Sequence, residues 1–552
     1  CGCPQGAKCS PLLWNILYSS MLRLPMPIGC YMQAFADDGF IVIEGDDERE
    51  CEQKANKALE IIARWGKENK LKFNSTKTQA MIVSNKQQAH IGQISIKMDG
   101  AEIDFVPQMK YLGVMFDTKQ SWKPHVEYVC KKTQRMMHWI MRTSGKNWGL
   151  SGDVIRTIYI CAIEPILTYA CSAWKECLVY PSYRDRLLAT QRTFALLITR
   201  AYWNTSLEAS LVLANIPPIH FRVEMWANRY QIRNNALPDF LQGWEYQKPA
   251  HFLENGHPKL KSDFVHQDCE SQHHLTIYTD GSGLENRIES AFVVYSEGRI
   301  VHSQQSRLGD RCSVFQAEMW AIRSAVQWSL QSGQSTVVCS DSEASLKAIS
   351  NRSNTNQQAV EIRKLLREHP NHICLKWVKA HVGIDGNEEA DRLAKEATQI
   401  ETISYDKFPL SFAVKMMNQQ VITKWNQRWK NSPRGRTTAR FFPTIPDRLK
   451  CTNIPDFVMS QFLSGHGKFR EHQFNHGLGD VASPDCNLCG ERTEQTPIHL
   501  IETCARFAAQ RFTFINTIRE IVDSNQISPN TYCTDKCYDE FTKFIRIIFK
   551  SL

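Results

Sequence analysis

The stretch that decides the fold reads Leu275-Thr276-Ile277-Tyr278-Thr279-Asp280-Gly281-Ser282, a β-branched run that ends on an acidic residue and a glycine. Such a run, bounded by polar residues, predicts a short strand. Two later segments have the same character: residues 336–339, and residues 373–377, where Ile373, Leu375 and Trp377 alternate with polar neighbours. The sequence therefore predicts three strands that belong to one α/β domain.

Between the first two strands, the pattern of one helical face is visible. The apolar positions are Phe315, Met319, Ile322, Val326 and Leu330, a spacing typical of an amphipathic helix. Ser313, followed three residues later by Gln316, predicts a capping box at the start of that helix. Glu318 lies at the rim of the apolar face, where we expect it to face a strand end.

Four acidic residues lie at the edges of these elements. Asp280 and Asp341 come where strands stop, which is where open α/β sheets bind ligands, and Asp391 falls in a second helical segment. Two unit charges about 4 Å apart repel by roughly 4 kcal/mol at an effective dielectric near 20. Gathering these four acids therefore requires cations, and oxygen ligands select Mg²⁺ or Mn²⁺. A pair of such ions could activate water against a phosphodiester.

Each acid taken alone is more simply a helix cap or a solvated charge, so the flanking motifs decide the interpretation. In order they are Thr279-Asp280-Gly281-Ser282, Ala317-Glu318-x-x-Ala321-Ile322, Ser340-Asp341-Ser342, Lys379-x-His381-x-Gly383 and Gly386-Asn387-Glu388-x-Ala390-Asp391. This ordered set resembles type 1 ribonuclease H.

The resemblance implies an α/β domain with a central mixed sheet at residues 273–399. It also implies that Asp280, Glu318, Asp341 and Asp391 hold two Mg²⁺ or Mn²⁺ ions. His381, otherwise an ordinary exposed histidine, would assist proton handling or product release. The implied reaction is hydrolysis of the RNA strand of an RNA–DNA hybrid to 3′-hydroxyl and 5′-phosphate ends, with recognition through 2′-hydroxyls and helix shape.

Residues 1–120 carry a second group of motifs. Cys3-Pro4-Gln5-Gly6 precedes Ala34-Phe35-Ala36-Asp37-Asp38, where the paired acids are expected in a turn between two short strands. With residues 71–78 and Tyr111-Leu112-Gly113, these motifs resemble the palm of a non-LTR retrotransposon reverse transcriptase. By that resemblance, the remnant of the polymerase site consists of Gln5, Gly6, Asp37, Asp38 and Lys77.

Two departures from the polymerase pattern are visible. Phe35 stands where the family has tyrosine, a mild change. The third catalytic aspartate and the fingers of the family would lie upstream of Cys1. We therefore expect a truncated palm that does not polymerise nucleotides.

Residues 121–236 predict a helical thumb or connection, with helices near residues 126–141, 155–174 and 184–201. Composition leaves open whether the bundle grips a duplex or carries only solvated charges. Residues 237–272 turn polar and rich in proline and histidine, which predicts a linker.

Residues 400–480 predict a helical basic segment. Its candidate nucleic-acid-binding residues are Lys424, Trp425, Arg428, Trp429, Arg434 and Arg436. Phosphate neutralisation with base stacking on the tryptophans is one interpretation. Burial of both tryptophans in a core, with the cations reaching to solvent, is the other. The sequence does not choose between them.

Cys486, Cys489, His499 and Cys504 form the pattern C-x2-C-x9-H-x4-C. Three cysteines and a histidine are a known structural set for tetrahedral Zn²⁺. The pattern resembles the knuckle of non-LTR retrotransposon polyproteins, so residues 481–510 predict a zinc knuckle. Residues 511–552 predict a C-terminal helical tail.

The whole composition agrees with an intracellular protein that acts on nucleic acid. The net charge of +9 and the pI near 8.7 give a mild bias toward polyanions. The 19 cysteines follow no signal peptide, which favours reduced thiols in the cytoplasm or nucleus rather than secretion. No apolar run is long enough for a membrane span, so we expect no membrane partner.

The sequence as a whole predicts a multidomain α/β and α chain that hydrolyses RNA in hybrids. Two alternatives stay open. The chain could bind nucleic acid without catalysis, or it could be the carboxy-terminal piece of an active RNA-directed DNA polymerase.

Overall fold

The structure is a computed structural model that describes residues 6–83, 94–145, 148–251, 264–265, 275–284, 287–370, 372–397 and 400–552. Its α-helices are α1 Ser10–Leu22, α2 Glu48–Glu68, α3 Lys123–Arg142, α4 Gly152–Ile158, α5 Glu164–Leu167, α6 Cys171–Trp174, α7 Pro181–Thr199, α8 Leu207–Ala214, α9 Ile219–Arg233, α10 Val314–Ser332, α11 Glu343–Ser350, α12 Gln357–Glu368, α13 Asp385–Glu396, α14 Leu410–Lys430, α15 Arg436–Phe441, α16 Ile445–Leu449, α17 Phe457–Ser464, α18 Arg470–Asn475, α19 Ala508–Val522, α20 Pro529–Tyr532 and α21 Tyr538–Phe549.

Most strands are short outside one large sheet. They are β1 Cys30–Phe35, β2 Asp38–Ile43, β3 Gln79–Ala80, β4 Lys97–Met98, β5 Ala101–Glu102, β6 Asp104–Phe105, β7 Gln108–Tyr111, β8 Val114–Asp117, β9 Glu245–Tyr246, β10 Leu275–Leu284, β11 Arg287–Ser296, β12 Arg299–Leu308, β13 Thr336–Ser340, β14 Ile373–Trp377, β15 Ile403–Tyr405 and β16 Lys407–Phe408.

The chain forms two compact units. The first comprises the residues up to Leu150 together with Thr157–Ala170 and Glu176–Phe194, and the second comprises Ser151–Arg156, Cys171–Lys175 and Ala195–Leu552. The predicted helical region 121–236 is therefore not one domain, because its second half belongs to the C-terminal unit. The helices expected near residues 126–141 and 184–201 correspond to α3 and α7. The one expected at 155–174 is interrupted by a π-helical turn, Tyr159–Ile163, and by a break between α5 and α6.

In the first unit, β1 and β2 form an antiparallel hairpin whose last pair is Phe35 with Asp38. Asp47 caps α2 by accepting a hydrogen bond from the backbone N–H of Glu50. The apolar face of α2 packs with α1 in a small core that includes Tyr18, Met21 and Trp65. The hairpin turn is thereby attached to a packed layer of helices.

The second unit contains a six-stranded sheet in the order β14-β13-β10-β11-β12-β15. Strand β10 pairs parallel with β13 and antiparallel with β11, so the sheet is mixed, as predicted. All three predicted strands are present. Helix α10 begins at the predicted capping box, in which both reciprocal hydrogen bonds between Ser313 and Gln316 are formed.

Successive side chains of β10 point to opposite faces of this sheet. Ile277 contributes to a core with Met319 and Ile322 of α10 and with helices α11 and α12. Tyr278 lies on the other face, against α13, where a Cβ on Gly386 would come within 2.2 Å of its ring. Glycine at position 386 therefore lets α13 approach the sheet closely.

A second large core unites regions that the sequence analysis had separated. It contains Val212 of α8, Trp425 of α14, Phe462 of α17, Cys504 and Phe541 of α21. The predicted division at residues 480 and 510 is therefore wrong as a domain boundary. The basic segment, the cysteine-rich region and the C-terminal tail share one hydrophobic core with α8.

The predicted linker 237–272 is wrong for its first part. Leu241 and Tyr246 are buried in a core with Phe408, and β9 pairs parallel with β16. Burial of these apolar side chains fixes a segment whose proline content suggested a loop. Phe264 and Val265 also pack against the core of the large sheet, whereas residues 252–263 and 266–272 lie outside the described residues.

No single helix among the described residues has both the length and the apolar character that a membrane crossing requires. One bent pair, Gly152–Leu167 with Cys171–Val179 at 51°, meets these two criteria jointly.

Candidate active site and metal centres

The parallel strands β10 and β13 position two acids side by side. Thr279 pairs with Ser340. The next residue on each segment is an aspartate, so Asp280 and Asp341 lie side by side. Asp341 stands directly after the last residue of β13. The prediction that a strand ends at the acid is confirmed for Asp341 and is wrong for Asp280, because β10 continues to Leu284 through its antiparallel pairing with β11.

Glu318 reaches the same point because α10 passes unusually close to β10. A Cβ on Gly281 would lie 2.4 Å from the backbone nitrogen of Glu318 and 2.8 Å from the carbonyl carbon of Ala317. No side chain fits there, so the glycine after Asp280 is what allows the helix to bring its acid to the strand end.

Asp280, Glu318 and Asp341 form one cluster, in which an oxygen from each lies within 4.8 Å of the others. Burial, followed by the charges of Asp341 and Asp391, raises the pKa of Asp280 to about 7. Burial, followed by the charges of Asp280 and Asp341, raises the pKa of Glu318 to about 9. Three anions in one buried place are unfavourable without a compensating charge.

The donor set fits a hard divalent cation. All three side chains offer carboxylate oxygens, which Mg²⁺ and Mn²⁺ prefer. Oε2 of Glu318 is buried and has no hydrogen-bond partner. A buried polar atom without a partner is costly, and a cation between the three carboxylates would satisfy it.

Asp391, the fourth predicted acid, lies beside this cluster rather than within it. Its charge raises the pKa of both Asp280 and Glu318, so it is close to them. Its own carboxylate accepts a hydrogen bond of 2.7 Å from Nζ of Lys395, one turn later on α13. The structure thus brings three of the four predicted acids together and places the fourth next to them.

Two residues near the cluster were not among the predicted site residues. Nδ2 of Asn387 donates to Oδ2 of Asp341 at 3.1 Å, and Nε1 of Trp377 donates to the backbone oxygen of Asp341 at 3.2 Å. The Gly-Asn-Glu motif contained a signal for Asn387, since a buried amide one turn before Asp391 suits such a contact. For Trp377 the strand pattern gave no such signal.

His381 lies in the loop that follows β14. Its side chain is exposed, and its backbone adopts a left-handed conformation with φ of 53°. The loop therefore presents the ring to solvent at the end of the sheet where the carboxylates lie.

The predicted thiol and imidazole ligands also converge. One ligand atom from each of Cys486, Cys489, His499 and Cys504 lies within 4.8 Å of the others. Nε2 of His499 is 3.5 Å from Sγ of Cys489, and its Nδ1 is 2.9 Å from Oγ1 of Thr503. When Nδ1–H donates to Thr503, the lone pair of Nε2 faces the cysteines, the arrangement that metal-bound histidines adopt.

Local backbone structure creates this second cluster. The backbone N–H of Cys486 donates to the oxygen of Thr493, and that of Cys504 donates to the oxygen of His499 across a π-helical turn. Burial, with the neighbouring Cys486 and Cys489 sulfurs, raises the pKa of Cys504 to about 12. Three sulfurs and one imidazole suit tetrahedral Zn²⁺.

The structure decides between base stacking and core burial for the tryptophans of the basic segment. Trp425 and Trp429 are only 1% and 4% exposed, so neither can stack on a base. Nε1 of Trp429 donates to the oxygen of Phe442 at 2.8 Å. Because the indoles fill the core beneath α14, the prediction of base stacking is wrong and the alternative of core burial is correct.

The cations of α14 are engaged as well. Lys424 pairs with Glu224 and Arg428 with Glu208, both at 2.6 Å. These partners lie far away in sequence, so composition alone did not reveal them. Arg434 and Arg436 are exposed, and they remain predicted contacts for nucleic acid.

The remnant of the polymerase site is partly described. Asp37 lies in the turn and Asp38 begins β2, both exposed, which confirms the predicted hairpin. Nε1 of Trp14 donates to the oxygen of Ala36 at 2.8 Å and fixes the turn. Gly6 and Lys77 are exposed, whereas Gln5 lies outside the described residues.

Two family models match this chain. The family model for reverse transcriptase (RNA-dependent DNA polymerase) matches residues 1–116, and the model for RNase H matches residues 272–399. The chain therefore contains a reverse transcriptase region followed by a ribonuclease H domain with a mixed sheet.

Curated relatives identify the kind of element. The chain is 28% identical over 235 residues to the retrovirus-related Pol polyprotein from type-1 retrotransposable element R1 2 of Nasonia vitripennis, covering 42% of this chain and 57% of the relative. It is 24% identical over 245 residues to the putative 115 kDa protein in type-1 retrotransposable element R1DM of Drosophila melanogaster, covering 44% and 24%. The homologues of this chain are thus Pol polyproteins of R1 non-LTR retrotransposons, and it spans between a quarter and somewhat more than half of their length.

The ribonuclease H domain also has a similar solved structure. The chain is 19% identical to LC11-RNase H1, crystallised in complex with an RNA/DNA hybrid, over 22% of this chain and 94% of that one, with a TM-score of 0.20.

Proposed function

We propose that the ribonuclease H domain of this chain is a divalent-metal-dependent endonuclease that hydrolyses the RNA strand of RNA–DNA hybrids. The observation that supports the proposal most directly is the cluster of Asp280, Glu318 and Asp341. Three separate segments bring the buried Asp280 and Glu318 and the partly buried Asp341 within 4.8 Å of one another, although burial and mutual repulsion oppose it. Structural needs alone do not call for such an arrangement.

Asp280, Glu318 and Asp341 would hold Mg²⁺ or Mn²⁺, with Asp391 beside them. A bound divalent ion of this kind makes water a better nucleophile and offsets charge on the phosphodiester that is cleaved. Other residues of the protein position the acids. Asn387 and Trp377 fix Asp341 through its carboxylate and its backbone oxygen, so this acid is held in place before substrate arrives.

His381 is the residue that we assign to proton handling or product release. Its exposed position in the loop after β14 supports this assignment, because a ring in contact with solvent can exchange protons with it. The proposed substrate class rests on the match to the RNase H family model: the partner is an RNA–DNA hybrid, whose 2′-hydroxyls distinguish the strand to be cut.

The test uses a labelled RNA–DNA hybrid, Mg²⁺ and the purified chain beside its Asp280→Asn variant. Cleavage by the parent and not by the variant, with the RNA strand cut and the DNA strand intact, is the expected result. If neither protein cleaves while both remain folded and bind the hybrid, the proposal fails, and a role in nucleic-acid binding alone replaces it.

We also propose that Cys486, Cys489, His499 and Cys504 hold one structural Zn²⁺. The support is their convergence, together with the contact between His499 and Thr503 that leaves Nε2 toward the sulfurs. Metal analysis of protein purified under reducing conditions should give about one zinc per chain, as four-ligand sites of this type do. A ratio well below one, in protein whose thiols are all reduced, would refute it.

A further inference from the structure

The tryptophan at the end of β14 is anchored by one hydrogen bond and is only partly buried. Trp377 is 43% exposed, and among the described residues of the ribonuclease H domain it is the one aromatic side chain that is more than a third exposed. Phe292, by contrast, is buried in the core of the sheet, and Trp328 packs against that core. Leaving a large apolar ring in water forgoes the stabilisation that its burial would give.

The position of Trp377 is fixed relative to the carboxylates. Its residue pairs with Ser340 on the neighbouring parallel strand, so it stands at the same strand end as Asp341. Its Nε1 donates to the backbone oxygen of Asp341 at 3.2 Å, and the same oxygen accepts the backbone N–H of Glu343 at 2.9 Å. The edge of the indole is therefore anchored next to the acid cluster.

Part of the indole is accessible to solvent, since Trp377 is 43% exposed. Within the described part of the chain, Trp377 makes no stacking or cation contact that would cover it, and the residues after it, Lys379, His381 and Val382, are exposed as well. An anchored, partly exposed indole thus borders the carboxylates at the start of the loop that carries the exposed Lys379. Apolar rings in such positions pack against the sugars and bases of nucleic acids, and cations beside them neutralise phosphates.

We propose that Trp377 is a substrate-contacting residue, whose indole face packs on the sugar face of the nucleotide next to the phosphodiester that is cut. The contact would hold the RNA strand in register with the carboxylates. This inference rests on the proposed ribonuclease activity, since it assigns the residue that positions the substrate of that same site.

The kinetic test compares two substitutions in the full chain. Trp377→Ala removes both the aromatic face and the N–H, whereas Trp377→Phe keeps a smaller aromatic face and loses the N–H. We expect Trp377→Ala to raise KM for the hybrid roughly 10- to 100-fold and to spread the cut positions along the RNA, as loss of a stacking contact does. Trp377→Phe should keep KM within about 3-fold of the parent, because it retains an aromatic contact that stabilises the bound substrate and the transition state equally.

The matched control is Phe512→Ala. Phe512 is 70% exposed on α19, so its removal changes exposed aromatic surface away from the carboxylates and should leave KM and the cut positions unchanged. If both Trp377 substitutions lower kcat equally and leave KM unchanged, the residue only supports Asp341 through its N–H, and the proposal is overturned. An unchanged KM and cut pattern in Trp377→Ala overturns it too.

A second measurement does not depend on cleavage. The Asp280→Asn chain is labelled with 5-fluorotryptophan, and the ¹⁹F signal of residue 377 is identified by its loss in Trp377→Phe. Addition of the hybrid should shift this signal. If the parent chain does not cleave but the signal still shifts, the proposed activity fails while the contact stands. If the hybrid binds, as shown by fluorescence anisotropy, and the signal does not move, the contact is refuted; absence of binding refutes both.

Discussion

The two clusters of candidate metal ligands are similar in the spacing of their ligand atoms but are formed in different ways. In each, the ligand atoms lie within 4.8 Å of one another. The carboxylates come from β10, α10 and the end of β13, and they meet because the sheet and a close helix approach at Gly281 bring them together. The thiols and the imidazole lie between Cys486 and Cys504, in a turn and a π-helical turn.

The difference teaches which cluster depends on the fold and which one supports it. Burial and the neighbouring acids raise the pKa of Asp280 to about 7 and that of Glu318 to about 9, so the rest of the domain holds these two side chains together at a cost in stability. Cys486 and Cys504 belong instead to the hydrophobic core shared by α8, α14 and α21. Substitutions in the two clusters should therefore have opposite effects on activity and on stability.

The largest effect is expected for Asp280→Asn. Loss of one charge from the ligand set should lower hybrid cleavage by about three orders of magnitude or more, while the melting temperature of metal-free protein stays the same or rises because repulsion is relieved. Cleavage assays and thermal unfolding check the two parts. Mg²⁺ should raise the melting temperature of the parent but not of the variant, and equal stabilisation of both would contradict the assignment of the site.

Cys504→Ser tests the second cluster, which contains the thiols and the imidazole. Loss of a zinc ligand should destabilise the C-terminal unit by several kcal/mol, which corresponds to a fall in melting temperature of roughly 10 °C at about 2–4 °C per kcal/mol. Hybrid cleavage by the protein that remains folded at low temperature should be nearly unchanged. Cys161→Ser, at an exposed cysteine outside the cluster, is the control. A variant that stays fully stable yet loses cleavage would reverse the roles that we assign.

Asn387→Ala tests how firmly the fold must hold the acids. The amide donates to Asp341, and loss of such a supporting contact lowers metal affinity or activity about 10- to 100-fold. Measured against Mg²⁺ concentration, the variant should need more metal to reach half of its maximal rate. An unchanged metal dependence would mean that Asp341 is positioned without this amide.

The smallest effect is expected for His381→Ala. Because the ring is exposed and lies outside the carboxylate cluster, we expect turnover to fall by about 10-fold while the metal dependence stays unchanged, a loss at the low end of what an acid–base group contributes. Val382→Ala, at the next exposed position of the loop, is the control. A loss as large as that of Asp280→Asn would show that the histidine does more than assist.

Two basic helices differ in the burial of their tryptophans, which the sequence alone does not predict. Helix α3 and helix α14 both combine lysine, arginine and tryptophan, yet Trp139 of α3 is 63% exposed and Trp425 of α14 is 1% exposed. The cations of α14 pair with Glu208 and Glu224, two hundred or more residues away in the chain. The two helices have similar compositions, so only the residues packed against each helix decide which of its faces is exposed to solvent.

The sequence by itself predicted the strand segments that precede Asp280 and Asp341, the capping box of α10, the mixed sheet implied by the resemblance to ribonuclease H, and the residues of the two candidate clusters apart from Asp391, which lies beside the first. The strand segments, the cap and the spacing of the cysteines and histidine are set by neighbouring residues, whereas Asp280, Glu318 and Asp341 come together only in the folded domain. Tertiary structure alone decided that Trp425 and Trp429 are buried, that residues 237–251 pack rather than link, that Asp391 pairs with Lys395 beside the cluster, and that Trp377 holds Asp341. These depend on contacts between distant segments, and burial free energy, which grows with the area that such contacts remove from water, outweighs local preference.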